Sequence, residues 1–304
     1  MTLARRLMER GITLAPLDIL TILYTASSLV VIGTQALGTH HLRVSPTELN
    51  GLVAAHGLLI VLVVLAAVAR SHADSESPSL LAEWYPIVVL AAIYVSVGLV
   101  NGPRAAAGIS YDSVVQRWEF ATFGQQLAHD WSRSRTQAAF AWPLSLTYLG
   151  FFPLVIIAPA ALWLRGHVTR ARQTIFGISL AFFACYIVFL VFPVAGPNYL
   201  WGWPSEGVHT GLPTRFVRTL IEGGDSWGSA FPSSHVAASM AATLLALRNW
   251  RLLGWILLPF ALGIIVGVVY FQIHYAVDAV AGLVIAVLAT MVACRVLPTP
   301  IETT

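Results

Sequence analysis

The run FPSSHVAASMAATLLALRNWRLLGWILLPFALGIIVGVVYFQIHYAVDAVAGLVIAVLATMVAC, residues 231–294, decides the fold. It holds three apolar stretches, 232–247, 252–271 and 275–294, divided by a turn carrying Arg248 and Arg251 and by a turn near residue 272. A membrane crossing needs about 20 mostly apolar residues. The second and third stretches meet that length, while the first is short and opens on Ser and His. Reading outward, the same test finds 15–38, 51–69, 86–102, 138–164 and 175–195. The expectation is an all-α, polytopic membrane helical bundle with about eight spans. Composition agrees: of 304 residues, 57% are hydrophobic and 10% charged, against about 45–50% and about 25% in soluble domains. A water-soluble fold could not hide that much apolar surface, and two cysteines in apolar runs, Cys185 and Cys294, build no disulfide scaffold.

All 17 basic residues are Arg. Arg5, Arg6 and Arg10 precede the first span, Arg70 follows the second, Arg165, Arg170 and Arg172 separate the fourth and fifth, Arg248 and Arg251 the sixth and seventh, and Arg295 follows the eighth. Eight crossings bring these to one face, which the positive-inside rule makes cytoplasmic, with both termini inside. No basic face for nucleic acid is left. The first segment reads as an uncleaved helix, its apolar stretch being longer than a signal peptide's. The division expected is 1–102, three N-terminal membrane helices; 103–137, an outer-face amphipathic segment; 138–296, a helical core; and 297–304, a cytoplasmic tail. In the second unit Trp118, Phe120, Phe123 and Leu127 recur at mixed three- and four-residue spacing among Arg117, Glu119, Gln125, Gln126 and Asp130, the pattern of a helix lying on the outer membrane surface.

Polar residues adjoining apolar helices at one depth are functional candidates. One cluster is Gly228-Ser229-Ala230-Phe231-Pro232-Ser233-Ser234-His235, where Pro232 and the serines mark a helix start whose free amides and positive dipole end lie beside His235. The other is His274-Tyr275-Ala276-Val277-Asp278. His and Asp four apart share a helical face, so the carboxylate can accept the Nδ1 proton and leave Nε2 free. The sixth span enters from the outer face with His235 and the seventh returns to that face with His274, so two imidazoles 39 positions apart arrive at one depth.

These clusters resemble the second and third signature motifs of the phosphatidic acid phosphatase type 2 superfamily of integral-membrane lipid phosphatases and phosphotransferases. Ala230-Phe231-Pro232-Ser233-Ser234-His235 is similar to its Ser-Gly-His-like motif, and His274-Tyr275-Ala276-Val277-Asp278 with Ala281-Gly282 to its His-x-x-x-Asp motif. Phe192-Pro193-Val194-Ala195-Gly196-Pro197 and the stretch Asp112…Glu119…Phe123-Gly124 resemble a bacterial branch related to inositol phosphorylceramide synthases. The likeness covers roughly 112–290. It implies a six-helix phosphatase-type core with extra N-terminal helices. It also implies that His274 attacks phosphorus, Asp278 orients it and His235 protonates the leaving oxygen. The phosphoryl group would rest on the amides of Ser233 and Ser234.

The chain departs from the family in its cations. It has no Lys and no Arg-Pro pair for the first motif; Gly267 and Val268 stand where the third motif begins Ser-Arg; Asn198 and Gln272 occupy positions where related bacterial sequences carry Arg. A phosphoryl transition state spreads negative charge over three oxygens that something must compensate. Arg117, Arg215 and Arg218 are the outer-face substitutes, ahead of Arg104, Arg133 and Arg135, and Tyr199, Trp201 and Trp203 could grip a headgroup. Alternatively the substrate is a phosphodiester, as in sphingomyelin- or inositol-phosphorylceramide-type transferases, or an unusual one.

The expectation is therefore a multi-pass enzyme of a bacterial plasma membrane with its site facing outward. It would act on a lipid phosphate, pyrophosphate or phospho-headgroup through phosphohistidine, with the bilayer lipid as partner, no cofactor and no metal. His129-Asp130, His40-His41 and His209 give no metal-binding spacing. The rivals are a transporter using His235, His274 and Asp278 as a proton relay, and a silent scaffold. Oligomeric state is not legible.

Overall fold

The computed structural model describes residues 14–37, 45–72, 80–203 and 211–299. Arg5, Arg6, Arg10, His40, His41 and His209 lie outside the described residues. These hold thirteen helices: α1 Pro16–Leu37, α2 Pro46–His72, α3 Leu80–Ala106, α4 Asp112–Phe123, α5 Leu127–Ser134, α6 Ala138–Leu149, α7 Phe151–Leu164, α8 Val168–Val191, α9 Pro197–Trp201, α10 Leu212–Gly224, α11 Ser234–Asn249, α12 Arg251–Tyr270 and α13 Ala276–Val296. The one extended pairing among them is a parallel bridge between Val194 and Ser229.

Six helices, α1, α2, α3, α8, α12 and α13, are long and apolar enough to cross a membrane, and α6 with α7, bent by 43° at Gly150, makes a seventh. The eighth is α11. Its 16 residues reach about 24 Å at 1.5 Å per residue, short of the about 30 Å hydrocarbon core. It carries Arg248 at one end and His235 at the other. Helix α11 is also the hub, packing on α7, α8, α12 and α13. Ala237, Ala238, Ala241, Ala242 and Ala246 are buried along it, and such small side chains let neighbouring backbones approach closely inside a bilayer.

The Arg-bearing ends gather together. Arg70 pairs with Asp18 and Arg172 with Glu83, joining α2 to α1 and α8 to α3. Arg170 donates to the Asn249 carbonyl at 2.8 Å, and Arg165 stacks over Trp250 at 3.8 Å. Helix α11 runs from His235 to Arg248, so this cluster lies at the end opposite the histidines.

The 103–137 segment differs from the single helix its spacing suggests. Gly124, at φ 71°, caps α4 in the left-handed conformation that glycine adopts freely, and Leu127 opens α5. Helix α4 turns Asp112, Val115 and Glu119 inward, while Trp118, Phe120 and Phe123 stay exposed. Aromatics therefore face outward and carboxylates face the protein.

Candidate active site

Every backbone N–H removed from water needs a partner, and the buried carboxylates supply several of them. Asp112 accepts from the amides of Ala195 and Gly196 at 2.8 and 2.9 Å and from the Tyr275 hydroxyl at 3.0 Å. Glu119 accepts from the Val277 amide at 2.9 Å, at the start of α13; burial pushes its carboxyl upward. Two residues of α4 thus fix the loop before α9 and the first turn of α13.

The two motifs meet over the same helix ends. Ser233 caps α11, accepting from the Val236 amide at 3.3 Å, and its own amide donates to the Asp278 carbonyl at 3.0 Å. Helix α13 comes this close because position 282 is glycine; a Cβ there would stand 2.6 Å from the Ser233 carbonyl oxygen. The rings of His235 and His274 face each other, with Nδ1 of the first 3.2 Å from Nε2 of the second.

Proton positions follow from the acceptors. Nδ1 of His274 lies 2.6 Å from the Ala230 carbonyl oxygen, which can only accept. His274 therefore carries its proton on Nδ1, and its Nε2 is the lone-pair nitrogen. His235 must then present an Nδ1 proton to it, leaving its own Nε2 to face the Tyr148 hydroxyl at 3.5 Å. Asp278 was expected to take the His274 Nδ1 proton; its Oδ2 is 3.7 Å from that nitrogen and instead accepts from the Tyr275 amide at 2.7 Å. The backbone carbonyl is the orienter, and the Asp278 carboxyl group stands behind it. Burial pushes His274 down to about 4, against the rise contributed by the Ala230 carbonyl and by Asp225.

An apolar cavity of about 390 Å³ ends at this pair. Leu90, Ala91 and Tyr94 of α3, Phe151, Phe152 and Val155 of α7, and Ile221 of α10 line it, and Asp225, Ser234 and His235 stand at its polar end. Val95, Phe152 and Ile156 on its wall are exposed, so it opens sideways between α3 and α7. Beside it a recess joins Tyr94, Asp225, Ser229, Ala230, His235 and His274.

The profile of the PAP2 superfamily matches residues 113–292. The chain belongs to the PAP2 superfamily. This PAP2 match takes in both histidine motifs and leaves α1 to α3 outside. No curated protein and no solved structure matches the chain. Membership gives a phosphatase-type function in a membrane protein.

Within the PAP2 core the other expected site residues are spread more widely. Ser234 lines the cavity. The Ser233 amide, expected to hold a phosphoryl oxygen, is occupied by Asp278. Gln272 is fully buried, sits at φ 57°, and donates from its side chain to the Gly202 carbonyl at 3.1 Å, while its own carbonyl accepts from the Asn198 amide at 2.8 Å. Both therefore shape the α9 loop. Tyr199 is exposed on that loop beside Asp225, which it hydrogen-bonds. Arg117 and Arg215 are exposed, Arg218 pairs with Glu222 at 2.7 Å and lies over Trp203 at 5.5 Å, and none of the three lines the cavity or the recess. Arg133 is nearer the site, reaching the Gln272 side chain and the Trp201 carbonyl, each at 3.2 Å. Among the described residues no group of three His, Cys, Asp or Glu is placed to hold a metal ion. Tyr94, Tyr148 and Asp225 were not singled out in the sequence. Asp225 could have been, as a lone charge five residues before the second motif; the two tyrosines sit in apolar runs with no local signal.

Proposed function

We propose that this PAP2 protein is a membrane lipid phosphotransferase or phosphatase working through a phosphohistidine on His274, at a site recessed from the outer face of a bacterial plasma membrane. The observation that carries this reading is the 3.2 Å pair of imidazoles at the closed end of a side-opening apolar cavity. A lipid can enter from the bilayer with its chain in the cavity and its phosphate at the rings. The resting spacing holds no phosphorus, so the phosphate enters as His235, which lines the cavity, swings away from His274, which is fixed by Ala230.

Nε2 of His274 then attacks phosphorus. An N–P bond forms, the P–O bond to the leaving group breaks, and that oxygen takes a proton from His235 in its imidazolium form, which is left neutral. In the second half His235 removes a proton from water or a lipid hydroxyl, whose oxygen displaces His274. Asp278 faces the positive charge that develops on the phosphorylated ring. Because no Arg lines the cavity or recess among the described residues, a phosphodiester fits better than a dianionic monoester. That favours transfer of a phospho-headgroup, as in the branch resembling inositol phosphorylceramide synthases.

Incubation with lipids labelled in the phosphate tests the reading. Acid-labile label should appear on the protein, and His274→Ala should abolish it along with turnover. Turnover surviving in His274→Ala on the diester, monoester and pyrophosphate lipids would reject the nucleophile. If label were transferred to water alone, whatever alcohol is present, the transferase reading would fall and a phosphatase would remain.

A further inference from the structure

Phosphate-handling sites gather cations, yet the charged group at the polar end of this cavity is a carboxylate. Asp225 lines both the cavity and the recess that contains His235 and His274. It is held there from outside the PAP2 core: the Tyr94 hydroxyl of α3 donates to its Oδ1 at 3.0 Å. The same hydroxyl accepts from the Ser226 amide at 3.3 Å and lies 3.3 Å from Ser229 Oγ, while Ser226 Oγ donates to the Tyr94 carbonyl at 2.7 Å. These contacts lock the residue after α10 to the middle of α3. Burial pushes the Asp225 carboxyl upward, and no Arg among the described residues forms an ion pair with it.

A carboxylate so placed repels a phosphate, unless the ligand itself carries the compensating charge. We infer that Asp225, positioned by Tyr94, is a headgroup subsite for an ammonium group, so that the favoured ligand is a zwitterionic lipid phosphodiester with its amine on Asp225 and its phosphorus at the imidazoles. An ammonium in contact with the carboxylate lies closer to it than the single phosphodiester charge does, so the attraction outweighs the repulsion. A monoester brings a second negative charge and no ammonium, and loses on both counts. The inference rests on the proposed lipid-phosphate reading of the site.

The test is binding, read on His274→Ala protein in nanodiscs with empty discs subtracted, so that it does not depend on turnover. Three probes share one chain: octylphosphocholine, octyl methyl phosphate and octyl phosphate. The second keeps the diester charge and lacks the ammonium. The expected order is octylphosphocholine about tenfold tighter than octyl methyl phosphate, with octyl phosphate weakest; tenfold is about 1.4 kcal/mol. Asp225→Asn should erase the preference for octylphosphocholine, and Tyr94→Phe should reduce it. Equal binding of the first two probes, or a preference that survives Asp225→Asn, would overturn the subsite. If Asp225→Asn does not fold, competition decides: tetramethylammonium chloride must displace octylphosphocholine where sodium chloride of equal strength does not, and failure to do so also overturns it. Phosphohistidine labelling in the parent protein is independent, so either proposal can fail alone.

Discussion

Burial holds His274 neutral where a free imidazole would already be charging. In the proposed mechanism the attacking form is the neutral ring, and its depressed value of about 4 moves the acid limb of kcat/KM down from the usual histidine range near 6.5. Activity should fall as pH drops through about 4. A kcat/KM profile with its acid limb at 6.5 or above would show that His274 titrates as an ordinary surface imidazole. Asp278→Asn separates orientation from charge. Asn can still accept from the Tyr275 amide, and the Ala230 carbonyl still fixes the tautomer. The loss in kcat should therefore be about 10²-fold, smaller than the about 10⁴-fold seen when a triad loses its sole orienter, with KM little changed. Wild-type kcat in that variant would make Asp278 a helix cap only. At this scale the two histidines were legible because the helix arithmetic needs only their spacing and the turn between them. The proton acceptor of His274 was not: it is a carbonyl 44 positions away, and a backbone oxygen has no letter in a sequence. Tyr94 and Asp225 meet across 131 positions, one of them inside a run of Val, Leu and Ile.

Between elements, the approach of α13 to α11 sets the distance between the rings. Gly282→Ala would push its Cβ against the Ser233 carbonyl, and backbone cannot rotate away as a side chain can. A destabilisation of about 1–3 kcal/mol is expected, seen as a lower midpoint in thermal unfolding, together with a fall in kcat. An unchanged midpoint and kcat would mean the helices slide apart freely. The outer segment shows where periodicity misleads. Its aromatic spacing reads as one face of one helix, and the aromatics do form an exposed face. The chain nevertheless breaks at Gly124, and the inward face is carboxylate, because Asp112 and Glu119 find amide donors in the Ala195–Gly196 loop and in α13. A buried acid needs such partners, and hydrophobic pattern alone is blind to them.

For the molecule as a whole, the cavity and the arginine end predict two measurements. Ala91→Trp places an indole in the cavity wall. KM for a lipid with long acyl chains should rise about tenfold while an octyl substrate is little affected; equal effects on both would show that chains do not use the cavity. In protein lacking Cys294, a cysteine replacing Gln125 should react with an impermeant maleimide on intact cells, and one replacing His167 only after lysis. The reverse pattern would turn the site inward. The bundle and the clustering of arginines at one end were readable from composition and charge, which act on whole helices; the boundaries were not, α3 running Leu80–Ala106 rather than 86–102 and α8 Val168–Val191 rather than 175–195. The bend at Gly150 was not readable either, since it depends on which neighbours pack there.

Helix α3 is not in the region that defines the family, yet it forms one wall of the apolar cavity and grips the acid beside the paired imidazoles. A chain beginning at residue 107 would retain each signature motif and have its chamber unroofed, with Asp225 set loose. Relatives that share those motifs but carry a different leading helix would accordingly be expected to keep the chemistry and change the lipid.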